Sequence, residues 1–387
     1  MKVLCPDKEV CGSCGWSHIP YEKQLTQKLS DINGSLALKE LPFTCDQILP
    51  SPRTSHYRNR MDFVIDFEGR VGLRQKGKWW KVIDDHCCFI SDQKIEEIFK
   101  IGVTWAKQCG LAWYDRKAHT GLLRYLVIRA TSIGETLINV VTSVPSSEDE
   151  AKLAHEKITE LARITSATTV LWAKNSTQSD VSFGDQLDIV IGEGVIKEEI
   201  AGYQYLISPQ AFFQTNSYAA PLLMNAVVEY AGDVANKKVL DLYCGSGVFT
   251  MPLAKVAGST VGVELEPLAI MDARQNAELN RVSVQFFDEA VEKKIDTGSP
   301  EPQFDWGTLD ADVVIVDPPR SGMHDKAFKK LCEVKPERLV YVSCNYKHFA
   351  REMQTLKDIY NLEAIKAIDM FPHTPHVELV ACLTRKD

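Results

Sequence analysis

Cys344 follows the apolar run Leu339-Val340-Tyr341-Val342-Ser343, which has the composition of a buried parallel strand. A thiol at such a strand end faces the crevice where doubly wound α/β domains bind their ligands. Glu378 stands before a second apolar strand, after the proline-bounded loop Phe371-Pro372-His373-Thr374-Pro375-His376. A thiolate nucleophile and a carboxylate base in one cleft are the parts of a covalent catalyst. Asp317 ends a third apolar run, Val313-Val314-Ile315-Val316, and is followed by Pro318-Pro319-Arg320. The two prolines stiffen that loop and leave its carbonyls free to accept hydrogen bonds.

A ligand site is written into Asp241-Leu242-Tyr243-Cys244-Gly245-Ser246-Gly247. Gly245 and Gly247 let backbone amides approach a ligand at the start of a helix. Glu264 ends the next strand, placed to bond a ribose diol. A dinucleotide site would need a third glycine, and Thr250 stands there instead. The short turn suits S-adenosylmethionine, which has no pyrophosphate to cradle.

A third constellation is Cys5, Cys11 and Cys14, with Cys87 or Cys88 as fourth member. Four thiolates suit zinc or an iron–sulfur cluster, and C-x2-C spacing alone leans to zinc. The eleven cysteines are an odd number and several lie inside apolar strands, so metal ligands and catalytic groups are expected rather than disulfides.

These residues need a scaffold. At 387 residues and 45% hydrophobic, the chain has material for two cores. Residues 1–205 read as an α+β domain: a helix over 20–41 that packs on the other domain, strands from 53 to 85, a helix near 91–109, a hairpin of Tyr125–Ala130 and Thr136–Val141, and a helix over 147–163. Residues 206–387 alternate strand and helix, with helices over 215–231, 248–257, 266–280 and 325–333. That alternation predicts a mostly parallel, Rossmann-like α/β sheet. No apolar run is long enough for a membrane span, and the N-terminus lacks a secretory signal, so a cytoplasmic monomer is expected. The net charge of −8 excludes a general nucleic-acid coat, yet residues 53–81 are locally net +5. His56, Tyr57, Trp79 and Trp80 are interleaved there, and such aromatics stack on unpaired bases.

Taken in order, these motifs resemble those of the S-adenosylmethionine-dependent RNA uracil-C5 methyltransferases that act on tRNA and 23S rRNA. The resemblance also covers Tyr57-Arg58-Asn59-Arg60, Ser208-Pro209-Gln210-Ala211-Phe212-Phe213-Gln214-Thr215-Asn216, Ser343-Cys344-Asn345 and His376-Val377-Glu378. It implies that Gln214, Tyr243, Glu264 and Asp317 contact the cofactor, that Cys344 attacks uracil C6, and that Glu378 removes the C5 proton. It also implies a 4Fe–4S cluster in the first domain on Cys5, Cys11, Cys14 and Cys87, and an RNA substrate, with rRNA expected ahead of tRNA uridine 54. The chain departs from the pattern in three places. The N-terminal β-barrel module of many relatives is expected to be missing, Tyr346 replaces a proline, and Asp288 is the nearest candidate for an adenine contact. Two rival readings are an amino-methyltransferase built on Asp317-Pro318-Pro319, and a non-catalytic, metal-stabilised RNA-binding factor.

Overall fold

The computed structural model describes residues 10–292 and 305–387. Its larger sheet has eight strands in the order Ile48–Leu49, Tyr360–Ile368, Glu378–Arg385, Arg338–Ser343, Val313–Val316, Lys238–Leu242, Ser259–Glu264 and Gln285–Asp288. The five strands from Arg338–Ser343 to Gln285–Asp288 run parallel, and Glu378–Arg385 is antiparallel to both of its neighbours. Side chains alternate across the sheet. Val313, Ile315, Val340 and Val342 face the helix Ala220–Ala231, whereas Val314, Val316, Leu339 and Tyr341 face Phe349 and Met353 of the helix Tyr346–Ile359. Coverage on both faces is why these strands read as unbroken β-branched runs. Truncating one such residue, for instance Ile315→Ala, costs about 2–5 kcal/mol.

The second sheet has seven strands, ordered Lys78–Asp84, Val71–Gln75, Arg60–Ile65, Leu123–Ala130, Thr136–Ser143, Thr169–Asn175 and Gln186–Ile191. Helices Gln93–Gln108 and Glu148–Thr165 bury Ile95, Phe99, Ile158 and Leu161 against it. Both helices begin at side-chain caps, with Asp92 accepting from the Lys94 amide and Ser147 from the Glu150 amide. The hairpin Ile196–Ile200 and Tyr203–Ile207 joins the two halves. Its Tyr205 and Ile207 lie in the apolar cluster of the larger sheet, and Asn276 accepts from the Leu206 amide.

Residues 1–205 do not all belong with the second sheet. Helix Tyr21–Ala37 buries Ile32 and Leu36 in the cluster that holds Leu339 and Phe349, and Ile48–Leu49 pairs with Ala367 and Ile368 at the edge of the larger sheet. Residues 21–49 thus lie on the larger sheet before the chain builds the second one and returns. The helix expected over 248–257 is only Thr250–Ala254, and the one expected over 215–231 begins at Ala220. Before Ala220, Asn216 Oδ1 accepts from the Tyr218 and Ala219 amides and stops the helix from extending backwards.

Candidate active site

Strand register brings Cys344 and Glu378 together. Ser343 pairs with Leu379 across the antiparallel junction, so the next residue on one strand lies beside the preceding residue on the other. Cys344 is partly exposed and Glu378 is 6% exposed. On the far side of Arg338–Ser343, Val316 pairs with Tyr341, so Asp317 leaves its strand at the same end of the sheet.

The charges of these groups act on one another. Burial raises the Cys344 thiol, the carboxylates of Glu378 and Asp317 raise it further, and Arg320 opposes them, leaving it at about 11. Burial and then Asp317 push Glu378 well above the usual carboxylate range, again against Arg320. Asp317 is pushed up to about 7 by burial and by Glu264. Burial and the neighbouring carboxyl groups thus favour the neutral forms of Cys344 and Glu378, while one guanidinium favours the ionised form of both.

The glycine turn lies on the neighbouring strand. Gly245 and Gly247 have φ of 53° and 88°, and Tyr243, a residue with a Cβ, also takes a positive φ of 64°. A Cβ added at Gly245 would meet no atom within 4 Å, so the turn borders open space. A Cβ at Gly247 would lie 2.4 Å from Met251 Cε. The Glu264 carboxylate accepts from the amides of Gly245 at 3.0 Å and of Leu265 and Glu266 at 2.8 Å, which ties the two strand ends together. Asp288 pairs in register with Glu264 at the end of the last parallel strand and is exposed.

Asp241 lies beneath the turn, fully buried. Its Oδ2 accepts from Thr250 Oγ1 at 2.5 Å, and Oδ1 has no partner among the described residues. Burial, then Asp317 and Glu264, raise it to about 7 despite the Thr250 hydrogen bond. Three carboxyl groups thus converge on an open turn, and among the described residues no cation offsets the burial and mutual repulsion that raise Asp241 and Asp317. S-adenosylmethionine, with its sulfonium and ammonium groups, fits this surplus of negative charge.

The neutral Gln214 takes no part in this charge network. It is buried in the loop 208–216, where Asn59 Nδ2 donates to its carbonyl at 2.8 Å and Ser208 is held by Asp272. Sequence reasoning gave no role to a set of residues that secure the loop before Glu378. Lys28 Nζ bonds Asp369 Oδ1 at 2.6 Å with both side chains fully buried, and the Gln24 amide both donates to His373 Nδ1 and accepts from the His373 amide. No local signal marks these pairs, because their members lie more than 340 residues apart.

The expected cysteine cluster is only partly assembled. Cys5 lies outside the described residues. Cys11 and Cys14 are buried, and Cys88 Sγ lies 4.0 Å from Cys14 Sγ. Of the two candidates for fourth member, Cys88 is the one that faces Cys14, and Cys87 is the more exposed. Burial works against ionisation of Cys11, but hydrogen bonds with His86 and Ser13 hold its thiol below the ordinary value. Among the described residues, no three His, Cys, Asp or Glu side chains converge closely enough to hold a metal. No helix among them is long and apolar enough to cross a membrane.

Residues 166–386 match the family model described as tRNA (uracil-5-)-methyltransferase. The chain is 37% identical over 374 residues to a tRNA (uracil(54)-C(5))-methyltransferase of Pyrococcus horikoshii, covering 96% of this chain and 83% of that one. It is 37% identical over 394 residues to an RNA methyltransferase of Caldanaerobacter subterraneus, covering 98% of this chain and 84% of the relative. The crystal structure of the Pyrococcus abyssi tRNA (uracil-54, C5)-methyltransferase in complex with S-adenosyl-L-homocysteine superimposes with a TM-score of 0.77 at 33% identity. It covers 97% of this chain and 86% of that one. The fold, the facing thiol and carboxyl group, and these likenesses agree: the chain belongs to the tRNA (uracil-5-)-methyltransferase family.

Proposed function

We propose that this protein methylates C5 of a uridine in tRNA through a covalent adduct on Cys344. The observation that carries this reading is the Ser343–Leu379 register, which sets a thiol beside a carboxyl group at the ligand-binding end of the sheet. S-adenosylmethionine supplies the electrophilic methyl group; the protein's part is to make C5 nucleophilic. The Cys344 sulfur adds to C6, and the C5–C6 π electrons move into an enolate, so C5 carries carbanion character and takes the methyl group. Glu378 then removes the C5 proton. The electron pair of that bond restores C5=C6 and expels the Cys344 thiolate. A thiol suits both steps, since it is a strong nucleophile and a good leaving group. Arg320 favours the ionised states that attack and deprotonation need. Gln214, Tyr243, Gly245, Gly247, Glu264 and Asp317 bind and orient the cofactor.

The choice of tRNA over the rRNA expected from sequence is supported by the Pyrococcus relatives, whose names specify uracil 54 of tRNA. Mapping 5-methyluridine in tRNA and 23S rRNA from cells lacking the protein tests it: loss from tRNA supports the reading, and loss from rRNA alone refutes it. The mechanism is tested with Cys344→Ala, which abolishes methyl transfer while cofactor binding survives. Residual full activity removes Cys344 from the chemistry.

A metal or iron–sulfur site is a further part of this reading, supported by the facing Cys14 and Cys88 thiols and the lowered Cys11. Its ligands would be Cys11, Cys14 and Cys88 with Cys5, and its role structural. Iron, sulfide and zinc content of anaerobically purified protein decides the matter. Metal-free protein of normal stability refutes it.

A further inference from the structure

Trp79 and Trp80 are 63% and 54% exposed, among the largest apolar side chains on the surface. They lie on the strand Lys78–Asp84, which forms one edge of the seven-stranded sheet. In a regular strand, consecutive residues point to opposite faces. Here the register breaks: Gln75 pairs with Lys78, and the adjacent Arg74 pairs with Val82, so residues 79–81 oppose nothing. This three-residue bulge releases both indoles from the regular alternation of the sheet, and their rings meet edge to face with centroids 6.0 Å apart. The bulge is held from below. Arg74 donates to the Trp79 carbonyl, to Tyr125 Oη and to Asp180, and the Arg116 guanidinium lies 5.6 Å from the centre of the Trp79 ring.

An edge strand is ordinarily protected by charge, not by a pair of tryptophans. The charge here is one-sided. Lys76, Lys78 and Lys81 flank the indoles, all exposed and with no salt bridge to a carboxylate among the described residues. Aromatic faces interleaved with free cations fit a single-stranded nucleic acid, whose bases stack while its phosphates meet the lysines. The bulge is also coupled to the active site. The Lys76 amide donates to the Val10 carbonyl at 2.8 Å, and the Trp16 amide donates to the carbonyl of His373, in the loop before Glu378, at 3.0 Å. One short segment, residues 10–16, spans the distance between the two.

We propose that the Trp79–Trp80 bulge, with Lys76, Lys78 and Lys81, is a stacking platform for an unpaired stretch of the RNA substrate outside the target uridine. The proposal rests on the RNA-methyltransferase reading above for the identity of its partner, and the test separates the two. The probe is a fluorescein-labelled 12-nucleotide oligocytidylate, which contains no uracil for the catalytic cleft, compared with an RNA duplex of the same length. Wild-type protein binds the unpaired strand more tightly than the duplex. Trp79→Ala/Trp80→Ala weakens that binding by at least about tenfold, since each stacked base contributes roughly five- to over a hundredfold. Trp79→Phe/Trp80→Phe, which keeps the ring faces, stays within about threefold of wild type. Lys78→Ala/Lys81→Ala lowers the slope of log affinity against log salt by about 1.4, as expected for two lost phosphate contacts. An unchanged S-adenosylmethionine affinity in each variant shows that the fold is intact. Alanine variants that bind within twofold of wild type, or wild-type protein that prefers the duplex, overturn the platform. Wild-type protein that binds the strand but forms no 5-methyluridine in tRNA or rRNA overturns the catalytic reading and leaves the platform standing.

Discussion

The convergence of Asp241 and Asp317 near 7 makes cofactor affinity steeply pH-dependent. Burial is the first cause for both, and their neighbouring carboxyl groups are the second. A ligand bearing sulfonium and ammonium groups binds best when these carboxyls are ionised. At pH 5, a group titrating at about 7 is ionised in only about 1% of molecules, a penalty of about 2.7 kcal/mol, or about 100-fold, for each carboxylate the ligand requires. The two groups interact, so log Kd changes by between about one and two units per pH unit from 5 to 7 and levels off above 8. Isothermal titration calorimetry with S-adenosylmethionine at pH 5, 6, 7 and 8, in buffers of different ionisation enthalpy, reads both the affinity and the protons released. Adenosine, which is uncharged in this range, serves as the control and shows no such slope. Asp317→Asn removes one proton from the release and flattens the curve. Acid unfolding of this site does not mimic the effect. A carboxyl raised in the folded state contributes stability at low pH that is lost as pH climbs through its folded value near 7. An S-adenosylmethionine affinity constant within about threefold from pH 5 to 8 refutes the charge argument.

Other perturbations test different parts of the molecule. Glu378→Gln leaves Cys344 able to attack but removes the acceptor for the C5 proton. A covalent RNA–protein adduct therefore accumulates, visible as a retarded band on a denaturing gel, and normal turnover would remove Glu378 from that role. Arg320→Met raises both Cys344 and Glu378, since Arg320 holds both down, and moves the alkaline rise in rate upward by about half a unit to one unit. An unshifted pH–rate profile contradicts the assignment. Lys28→Met strands the buried Asp369 carboxylate and lowers the urea-unfolding free energy by about 3–5 kcal/mol. A loss below 1 kcal/mol would show that Asp369 finds another partner or takes up a proton.

The strands that carry the site were legible because burial on both faces leaves an unmistakable composition. Val313–Val316 and Leu339–Val342 contain only apolar residues, and the chemistry follows directly at Asp317 and Cys344. Two elements with one wet face, after Cys344, were not. Helix Tyr346–Ile359 and strand Tyr360–Ile368 carry Lys347, Arg351, Lys357, Glu363 and Lys366 among their apolar positions, and the strand's burial follows no strict alternation. The adjacency of Cys344 and Glu378 was suggested by motif order but depends on the antiparallel insertion of the last strand, a matter of topology. The cysteine doublet shows the same boundary. Composition nominates Cys87 and Cys88 equally, and only backbone direction at the end of Lys78–Asp84 decides which thiol meets Cys14.

The largest gap between sequence and structure is the wall built behind Glu378. Its loop, residues 369–376, is gripped from residues near the other end of the chain: Lys28 on Asp369 and the Phe371 carbonyl, Tyr57 on the Pro372 carbonyl, and Trp16 and Gln24 on His373. A general base must be held within a few tenths of an ångström of its proton, which an eight-residue loop with two exposed members cannot achieve alone. The helix Tyr21–Ala37 supplies that rigidity, which explains why an N-terminal element crosses over to the larger sheet rather than packing on the one that follows it in the chain. The cysteine-bearing segment 10–16 belongs to the same wall, bonded at one end to the Lys76 amide and at the other to His373. If methyl transfer proceeds as proposed, this segment acts on it through the loop before Glu378, so damage to it is expected to slow C5 deprotonation before it slows attack by Cys344.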